Sequence, residues 1–463
     1  MPYLRAALHS LRISGHLPRP GEGPPWIGSH LADEVAHTER DALAAAIRDS
    51  YPARFGIPHA AARRYAEKYP PALLRAVIAS CVVSGEEITA DGETAGRRVD
   101  ELIALLEADR GSWRLVQFVA DIDATDVHSA TIHGVAVHDA TDWARVLSSQ
   151  LPEAGQLLDE EFAEVWGVAA TAMLVLDDPR DIPEMNYIGP EYDRIGRVLS
   201  AIRLATGATI DMTAACQGEP VMIHQDPPIV RPQEWSTLGQ WFRRPLELTP
   251  PLVGGIDQLA AVIENDDSEP LAIALGRYAR SHRPAHWQDR VVDLAVALEA
   301  ALIGGDSSEE ITLRVSTRAA HLLATDDDSA EGIFDDVADL YALRSQVVHG
   351  GTRAERIWRR FTDRHDFAET LAFDRLAPAF DRLRDVVRRA ILVRLVLRAD
   401  TLGGRLWPDR DIKVDRVLVG QTDRDRWRAE VRGRCASLGI PDAWKAASPL
   451  RDLMAERRMR TRP

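Results

Sequence analysis

The spacing of apolar residues constrains this chain most, because it changes character along the sequence. After residue 255, apolar residues recur at three- and four-residue steps, which predicts helices with no convincing strand between them. The predicted helices cover roughly residues 257–265, 269–281, 285–303, 309–325, 331–349 and 367–399. Amphipathic helices bury their apolar stripes against one another, so we expect an all-α helical bundle over residues 245–400.

The amino-terminal half is predicted to mix helices and strands. Residues 1–30 contain Pro18, Pro20, Pro24 and Pro25, which predict an irregular arm. Residues 34–109 follow a mostly helical pattern. The β-branched segments SWRLVQFVADI and SATIHGVAVHDA then predict strands, because a turn-forming Thr/Asp cluster separates them.

Two later segments complete this half, and a third feature marks its end. EAGQLLDEEFAEVWGVAATAMLVL predicts a helix, and GATIDMTAACQGEPVMIHQDPPIV predicts two short strands around a turn. Proline and glycine then cluster in RPLELTPPLVGG, residues 244–255, which indicates a domain boundary. We therefore expect a multidomain protein, with an α+β region over residues 31–235 acting as sensor or regulator ahead of the all-α bundle. Beyond the boundary, Ser307 and Glu310 have the spacing of a capping box that opens a helix.

Charge is unevenly distributed along the chain. The net charge is −15, yet from residue 352 onward 27 Lys and Arg face 17 Asp and Glu, whereas 29 face 54 before it. Residues 401–463 are accordingly predicted to form a basic extension. A basic end on an acidic body is suited to hold a phosphate backbone, and the arginines of residues 382–398 are the expected contacts. The alternative is that these arginines lie on solvated helix faces beside acidic residues.

Cysteine content and hydropathy indicate the compartment. Cys81, Cys216 and Cys435 are far apart and form no Cys-x-x-Cys pair, so neither a disulfide framework nor a zinc site is expected. The amino terminus lacks the apolar core of a signal peptide, and the longest apolar runs are too short to span a bilayer. We therefore expect a cytoplasmic protein with no membrane partner.

Motif searches exclude several common activities. The chain contains no G-x-x-x-x-G-K-[ST], G-x-G-x-x-G, H-E-x-x-H or G-x-S-x-G sequence. His128, His133 and His138 recur every five residues, and a metal site there is one alternative. A step of five places successive side chains on opposite faces of a strand, however, so surface or turn histidines are the default interpretation. The site is expected to need no metal and no cofactor.

The segment DDVADLYALRSQVVHGG, residues 335–351, is the best candidate for chemistry. An apolar stripe that extends to Val348 predicts a helix, and two glycines after His349 are placed to end it. Arg344 and His349 lie five positions apart, about 140° around an ideal helix, and they can share a cleft if His349 lies where the helix unwinds. Histidine exchanges protons near neutral pH, and arginine offers a charged fork of donors to phosphate oxygens. RNA cleavage by attack of the ribose 2′-hydroxyl needs these two functions.

Spacing alone is weak evidence, since Arg-x4-His also occurs elsewhere in the chain. The context is more specific, and residues 240–350, about a quarter of the chain, resemble a HEPN domain of the ApeA-like branch. The resemblance rests on the stretches WFRRPLELTPPL, AHWQDRVVDLAVALEAALI, EEITLRVSTRAAHLL and IFDDVADLYALRSQVVHGG. The amino-terminal region is only loosely similar, through IGRVLSAIRLATGATI.

The resemblance implies a metal-independent ribonuclease that works as a homodimer, with the Arg and His of both copies lining one cleft. It implies that Arg344 and His349 are the catalytic pair, that Ser345 is their polar neighbour, and that Glu299 and Arg318 form a supporting ion pair. It also implies a role in anti-phage defence or toxin-like growth arrest, with RNA as substrate and a phage-derived or antitoxin regulator. The alternative is a non-catalytic scaffold that binds RNA or protein, in which Arg344 pairs with Asp339 or Glu299.

Overall fold

The protein is mostly helical, with a few short strands. The computed structural model describes residues 2–13, 37–55, 70, 73–74, 77–78, 81, 86–107, 111–119, 122–124, 130–139, 172–180, 190–208, 210, 212–218, 246–282, 286–304, 310–365, 376–408 and 411–447. None of the helices in these ranges is both long enough and apolar enough to cross a lipid bilayer.

The chain divides into two compact units. The first contains residues 1–119, 136–192 and 213–231, and the second contains residues 120–135, 193–212 and 232–463. The second unit thus includes the whole predicted bundle together with two segments of the amino-terminal half. A boundary drawn at one point of the sequence, near residues 244–255, does not describe this division.

The first unit begins with a helix where an irregular arm was predicted. Helix α1 (Pro2–Ile13) buries its apolar residues in a core shared with α2 (His37–Phe55) and α3 (Glu93–Glu107). In PYLRAALHSLRI the buried residues are Tyr3, Leu4, Ala7, Leu8 and Leu11, a helical spacing. The prediction of an arm over residues 1–30 is therefore wrong for residues 2–13, and the prolines on which it rested lie outside the described residues.

The strands are β1 (Gly111–Val119), β2 (Ile122–Asp123), β3 (Ala130–Ile132), β4 (Val135–Asp139), β5 (Ala172–Arg180), β6 (Met212–Gly218) and β7 (Leu246–Glu247). In the first unit the order is β4–β5–β1–β6, and β1 pairs with β5 antiparallel, with Gly111 opposite Arg180. In the second unit β2 pairs with β7 in parallel. The strands predicted around residues 112–139, and the first of the two predicted after residue 206, are confirmed.

Strand β5 corrects the helix predicted over residues 153–176. The run Ala172–Leu176 is apolar at every position and fully buried. A short, wholly apolar run has no periodicity, so the sequence pattern could not distinguish a buried strand from a buried helix at these residues. Residues 153–171 lie outside the described residues.

The second unit contains α4 (Pro190–Thr206) from residue 193 onward and the helices of the bundle. These are α5 (Pro250–Glu264), α6 (Glu269–Ser281), α7 (Trp287–Leu302), α8 (Ile311–Leu323), α9 (Ala330–Val348), α10 (Ala354–Arg364), α11 (Ala377–Arg398), α12 (Asp411–Val419) and α13 (Gln421–Ser437). All six predicted helices are confirmed, one with the predicted ends (Glu269–Ser281) and the others with shifted ends, while residues 367–375 of the last lie outside the described residues. Helix α10 was missed because AERIWRRFTDR is so strongly charged, although Ile357, Trp358 and Phe361 are buried.

The starts of two helices differ from prediction. The prolines at 250 and 251 occupy the first turn of α5 after Thr249, a position where proline is favoured, so they begin a helix inside the unit. Helix α8 begins at Ile311, and Glu310 precedes it with a φ of 52°. Glu310 therefore does not occupy the third helical position that a capping box requires, and that prediction is wrong. Ser307 lies outside the described residues.

Helix α11 lies at the centre of the bundle, packed against α6, α7, α8, α9 and α13. Its arginines were predicted to contact RNA, but Arg384, Arg388, Arg389 and Arg394 are buried. Arg388 and Arg389 bind Asp385 at 2.7 and 2.9 Å, and Arg394 donates to the carbonyls at the end of α7. The RNA-binding prediction is therefore wrong for these four arginines of residues 382–398, because their guanidinium groups are buried and bound inside the bundle.

Two adjacent glycines in α5 provide a matched test of the packing. A Cβ at Gly255 would lie 2.7 Å from Ile440 Cγ2 and 2.9 Å from the Leu438 carbonyl oxygen, whereas a Cβ at Gly254 would meet nothing within 4 Å. We expect Gly255→Ala to lower the free energy of unfolding by about 1–3 kcal/mol, because backbone must move. Gly254→Ala should raise it by about 0.5–1 kcal/mol through helix propensity. Urea unfolding of both variants checks this, and equal effects would contradict the described contact.

Candidate active site

Helix α9 carries Arg344 and His349 at its carboxyl-terminal end. Its N-cap is Ser329, whose hydroxyl accepts a hydrogen bond from the Gly332 amide at 3.1 Å. Its apolar side packs against α7 and α8, so the helix is fixed within the bundle. Val348, predicted to continue the apolar stripe, is 57% exposed. The last turn of α9 is therefore open to solvent.

Two glycines end the helix as the sequence predicts. The His349 amide donates to the Ser345 carbonyl oxygen at 3.0 Å, and the Gly351 amide donates to the Gln346 carbonyl oxygen at 2.8 Å. Gly350 lies between them with a φ of 64°, which completes a Schellman motif. His349 is the C-cap residue, with a φ of −102° and a ψ of 10°, and its side chain is exposed. Its imidazole is accessible to a ligand.

Gln346 fastens the loop that follows His349. Its side-chain oxygen Oε1 accepts a hydrogen bond from the Arg353 amide at 3.1 Å. A Cβ at Gly351 would approach that oxygen to 2.1 Å, so only glycine fits while Gln346 holds this position. Residues 349–353 are thereby tied to the last turn of α9. Nothing in the spacing of the sequence identified Gln346.

Arg344 is half-buried and lies near Tyr341. Its Nε atom is buried and makes no hydrogen bond with any described residue. Burial raises the pKa of Tyr341, the charge of Glu299 raises it further, and the charge of Arg344 opposes both. Tyr341 also donates to the Ala295 carbonyl oxygen at 3.4 Å. Arg344 and Glu299 thus lie within electrostatic reach of the same buried phenol.

The other predicted site residues do not form the expected contacts with one another. Ser345 is exposed, and within the described residues no hydrogen bond joins Arg344 to His349. Arg318 is fully buried, binds Asp415 at 2.6 Å and donates to the Leu302 carbonyl oxygen at 2.5 Å. The expected ion pair between Glu299 and Arg318 is therefore wrong. Asp415 lies on α12, in the carboxyl-terminal extension, whose place in the fold the sequence did not indicate.

The alternative partner proposed for Arg344 is also occupied elsewhere. Asp339 is 2% exposed and forms ion pairs with Arg360 and Arg364 of α10. Within the ranges that the structure describes, no ion pair joins Arg344 to Asp339 or to Glu299. The guanidinium group of Arg344 therefore differs from most in this unit, which face a carboxylate.

Helix α10 adds positive charge directly after His349. Arg353 and Arg356 are exposed, and their side chains form no ion pair with a described residue. The helix is anchored by Trp358, whose ring lies 5.3 Å from that of Phe380. This exposed basic surface was missed together with the helix that carries it.

The histidines considered for a metal site do not form one in the described part of the chain. The His133 amide donates to Asp257 at 2.6 Å, and its Nε2 lies 2.8 Å from Glu264. His128 lies outside the described residues. Among those that are described, no group of three or more His, Cys, Asp and Glu side chains is arranged to hold an ion.

Comparison with protein families, with curated proteins and with solved structures finds no match to this chain.

Proposed function

We propose that this protein is an endoribonuclease of the HEPN type, with Arg344 and His349 as its catalytic pair. The observation that carries the proposal is the state of Arg344. Most partly buried arginines of the unit pair with carboxylates, but Arg344 forms no ion pair with a described residue. It lies five positions before an exposed histidine, His349. A guanidinium group without an ion pair and an accessible imidazole at the same end of one helix suit a phosphodiester ligand.

The proposed reaction is a transesterification within the RNA. The ribose 2′-oxygen attacks the adjacent phosphorus, the bond to the 5′-oxygen of the next nucleotide breaks, and the products carry a 2′,3′-cyclic phosphate and a 5′-hydroxyl. The imidazole of His349 exchanges the protons at these oxygens. The guanidinium group of Arg344 stabilises the charge that develops on the phosphate oxygens. In a homodimer, two copies of the pair line one cleft and supply both a base and an acid.

The surroundings of the pair support an RNA substrate and a second copy of the chain. Arg353 and Arg356 place exposed positive charge next to His349, where phosphates flanking the cut would lie. Val348, at 57% exposure, offers an apolar contact at the same end of α9. We propose that the amino-terminal unit regulates cleavage in a cytoplasmic growth-arrest or anti-phage system, under a phage-derived or antitoxin regulator.

The proposal is tested by incubating the purified protein with total cellular RNA in the presence of EDTA. We expect fragments whose 3′ ends are 2′,3′-cyclic phosphates and whose 5′ ends accept phosphate from a kinase without prior dephosphorylation. Fragments with 3′-hydroxyl ends would contradict the proposed chemistry.

A non-catalytic HEPN-type scaffold is the second candidate. The observation that favours it is the lack of a described hydrogen bond between Arg344 and His349. A scaffold would bind RNA or a protein through the same surface without cutting. Binding of RNA by the wild type without cleavage, under every activating condition tried, would select this alternative.

A further inference from the structure

A row of arginines on α13 faces the end of α8. Arg424, Arg428 and Arg432 follow one another at four-residue steps, so they share one side of the helix at intervals of about 6 Å. Arg424 Nη1 lies 3.4 Å from His321 Nδ1 and donates to the Leu418 carbonyl oxygen at 3.1 Å. These contacts fix the guanidinium group, and no carboxylate of the described residues forms an ion pair with it.

The other two arginines are held in a similar way. Arg428 Nε donates to the His321 carbonyl oxygen at 2.9 Å, and its nearest carboxylate, Asp425, is 3.9 Å away. Arg432 donates to the Arg428 carbonyl oxygen at 3.3 Å and lies over the ring of Trp444, 5.3 Å from its centroid. Neutral partners thus position all three guanidinium groups.

Several other arginines of this unit are paired with carboxylates. Arg318 binds Asp415, Arg398 binds Asp266, and Arg434, on the same helix α13, binds Glu430 at 2.8 Å. Three like charges lie together here, and the described residues supply one ion pair to them, Arg428 with Asp425 at 3.9 Å. Their mutual repulsion lowers the stability of the free protein, and a bound anion can offset it.

The electrostatic surroundings agree with this arrangement. Burial lowers the pKa of His321, and the charges of Arg424 and Arg428 lower it further. Burial also lowers the pKa of Arg428, where the charges of Arg424 and Arg432 oppose the charge of Asp425. The imidazole therefore adds a neutral polar group to the row, and the positive potential belongs to the arginines.

We infer that Arg424, Arg428 and Arg432 form a second site that binds consecutive phosphates of single-stranded RNA. Guanidinium forks donate in pairs to phosphate oxygens, and a regular row of them matches the repeat of an RNA backbone. Trp444 is half-buried beside Arg432, and a base adjoining the bound phosphates can stack on its exposed part. This inference rests on the proposed function for the identity of the polyanion, but it concerns binding and not cleavage.

The second site lies at the opposite end of the α8–α9 hairpin from the catalytic pair. His321 is in the last turn of α8, and residues 324–329 join it to the first turn of α9. From there Arg344 is fourteen residues further along α9, or about 20 Å at 1.5 Å per residue. One strand of RNA several nucleotides long can reach both, which would make cleavage depend on substrate length.

The experiment measures binding of a short fluorescein-labelled oligouridine by fluorescence anisotropy in the His349→Ala background, which prevents cleavage. Between about 50 and 200 mM salt we expect Arg424→Gln/Arg428→Gln to weaken binding about tenfold. Two lost phosphate contacts should also make the slope of log K against log salt shallower by about 1.4. The matched control is Arg280→Gln/Arg426→Gln, which removes the same charge from exposed positions outside the row.

The outcomes separate the possibilities. An equal effect in the double variant and its control overturns the site. If circular dichroism shows that the double variant is unfolded, the exposed single variant Arg432→Gln, which is expected to fold, decides instead. Unchanged RNA binding by Arg432→Gln then overturns the site, and weaker binding supports it. If inorganic phosphate raises the Tm of the parent but not of the double variant, while both bind RNA equally, the row holds a small anion and the RNA inference is overturned. If binding behaves as expected but the wild type never cleaves RNA, the second site stands and the proposed ribonuclease falls.

Discussion

Replacing His349 with alanine is expected to lower RNA cleavage by at least about a hundredfold while leaving the protein folded. The loss follows from removing the group that exchanges protons in the reaction, a contribution of about 10²–10⁴ in rate. The fold should survive because the side chain is exposed, and the cap itself depends on the backbone of residues 349–351. Cleavage of a labelled RNA under single-turnover conditions, with EDTA present, measures the effect.

The matched control is His286→Ala. His286 is also exposed, also lies next to a helix end, and makes no capping hydrogen bond. It should keep the wild-type rate within about twofold, since surface substitutions away from special features have small effects. Full cleavage by His349→Ala, or an equal loss in both variants, would remove His349 from the active site.

The arginine of the pair allows a sharper comparison. Arg344→Lys keeps the charge but loses the planar fork, so cleavage should fall well below wild type and remain above that of Arg344→Ala. RNA binding by Arg344→Lys should change little, because most of the binding charge lies elsewhere on the surface. If lysine restores full cleavage, Arg344 acts as a general positive charge and not as a phosphate fork.

The helical bundle could be predicted because its apolar residues have a helical period and its helices are long. The end of α9 could be predicted for the same reason, since Gly350 and Gly351 are placed where a helix must stop. Helix α10 was missed because it is short and strongly charged, although its three buried side chains recur at helical steps. The site was therefore located on one helix, without the basic helix that follows it.

The positions of the arginines could not be predicted, because the sequence does not say which charges are paired. Arg388 and Arg389 on α11 follow an apparently basic pattern, yet they are buried against Asp385 at 2.7 and 2.9 Å. Arg424 and Arg428 on α13 follow a similar pattern, but the described residues give Arg424 no ion pair and Arg428 only Asp425, at 3.9 Å. The net charge of residues 352–463 is the same whichever of these arginines are buried. Whether an arginine is paired depends on residues far from it in the sequence, as the ion pair between Arg389 and Asp328 illustrates.

Asp385→Asn is expected to have the largest effect on stability, lowering the free energy of unfolding by about 3–5 kcal/mol. Asp385 is buried on α11 and accepts hydrogen bonds from Arg388 Nη2 at 2.7 Å and from Arg389 Nε at 2.9 Å. Asparagine keeps the shape but leaves Arg388 buried with no described carboxylate. Arg388 also donates to the carbonyls of Leu204 and Ala443, so its charge cannot turn away to solvent without breaking these bonds.

Exposed Asp363→Asn is the control for this substitution, and urea unfolding should show a change of less than about 0.5 kcal/mol in its free energy of unfolding.

The pH dependence of stability separates loss of the ion pairs from a general packing defect. Burial tends to raise the pKa of Asp385, but the charges of Arg388 and Arg389 outweigh it and hold the pKa below its ordinary value. The unfolded chain titrates near pH 3.9, so the stabilisation is complete above that pH and is lost as the pH falls through the lower folded value. The stability difference between wild type and Asp385→Asn should therefore be constant near neutral pH and shrink below about pH 4. A difference that stays the same down to acid unfolding would mean that the substitution disturbs packing, and that the buried arginines of α11 do not depend on this carboxylate.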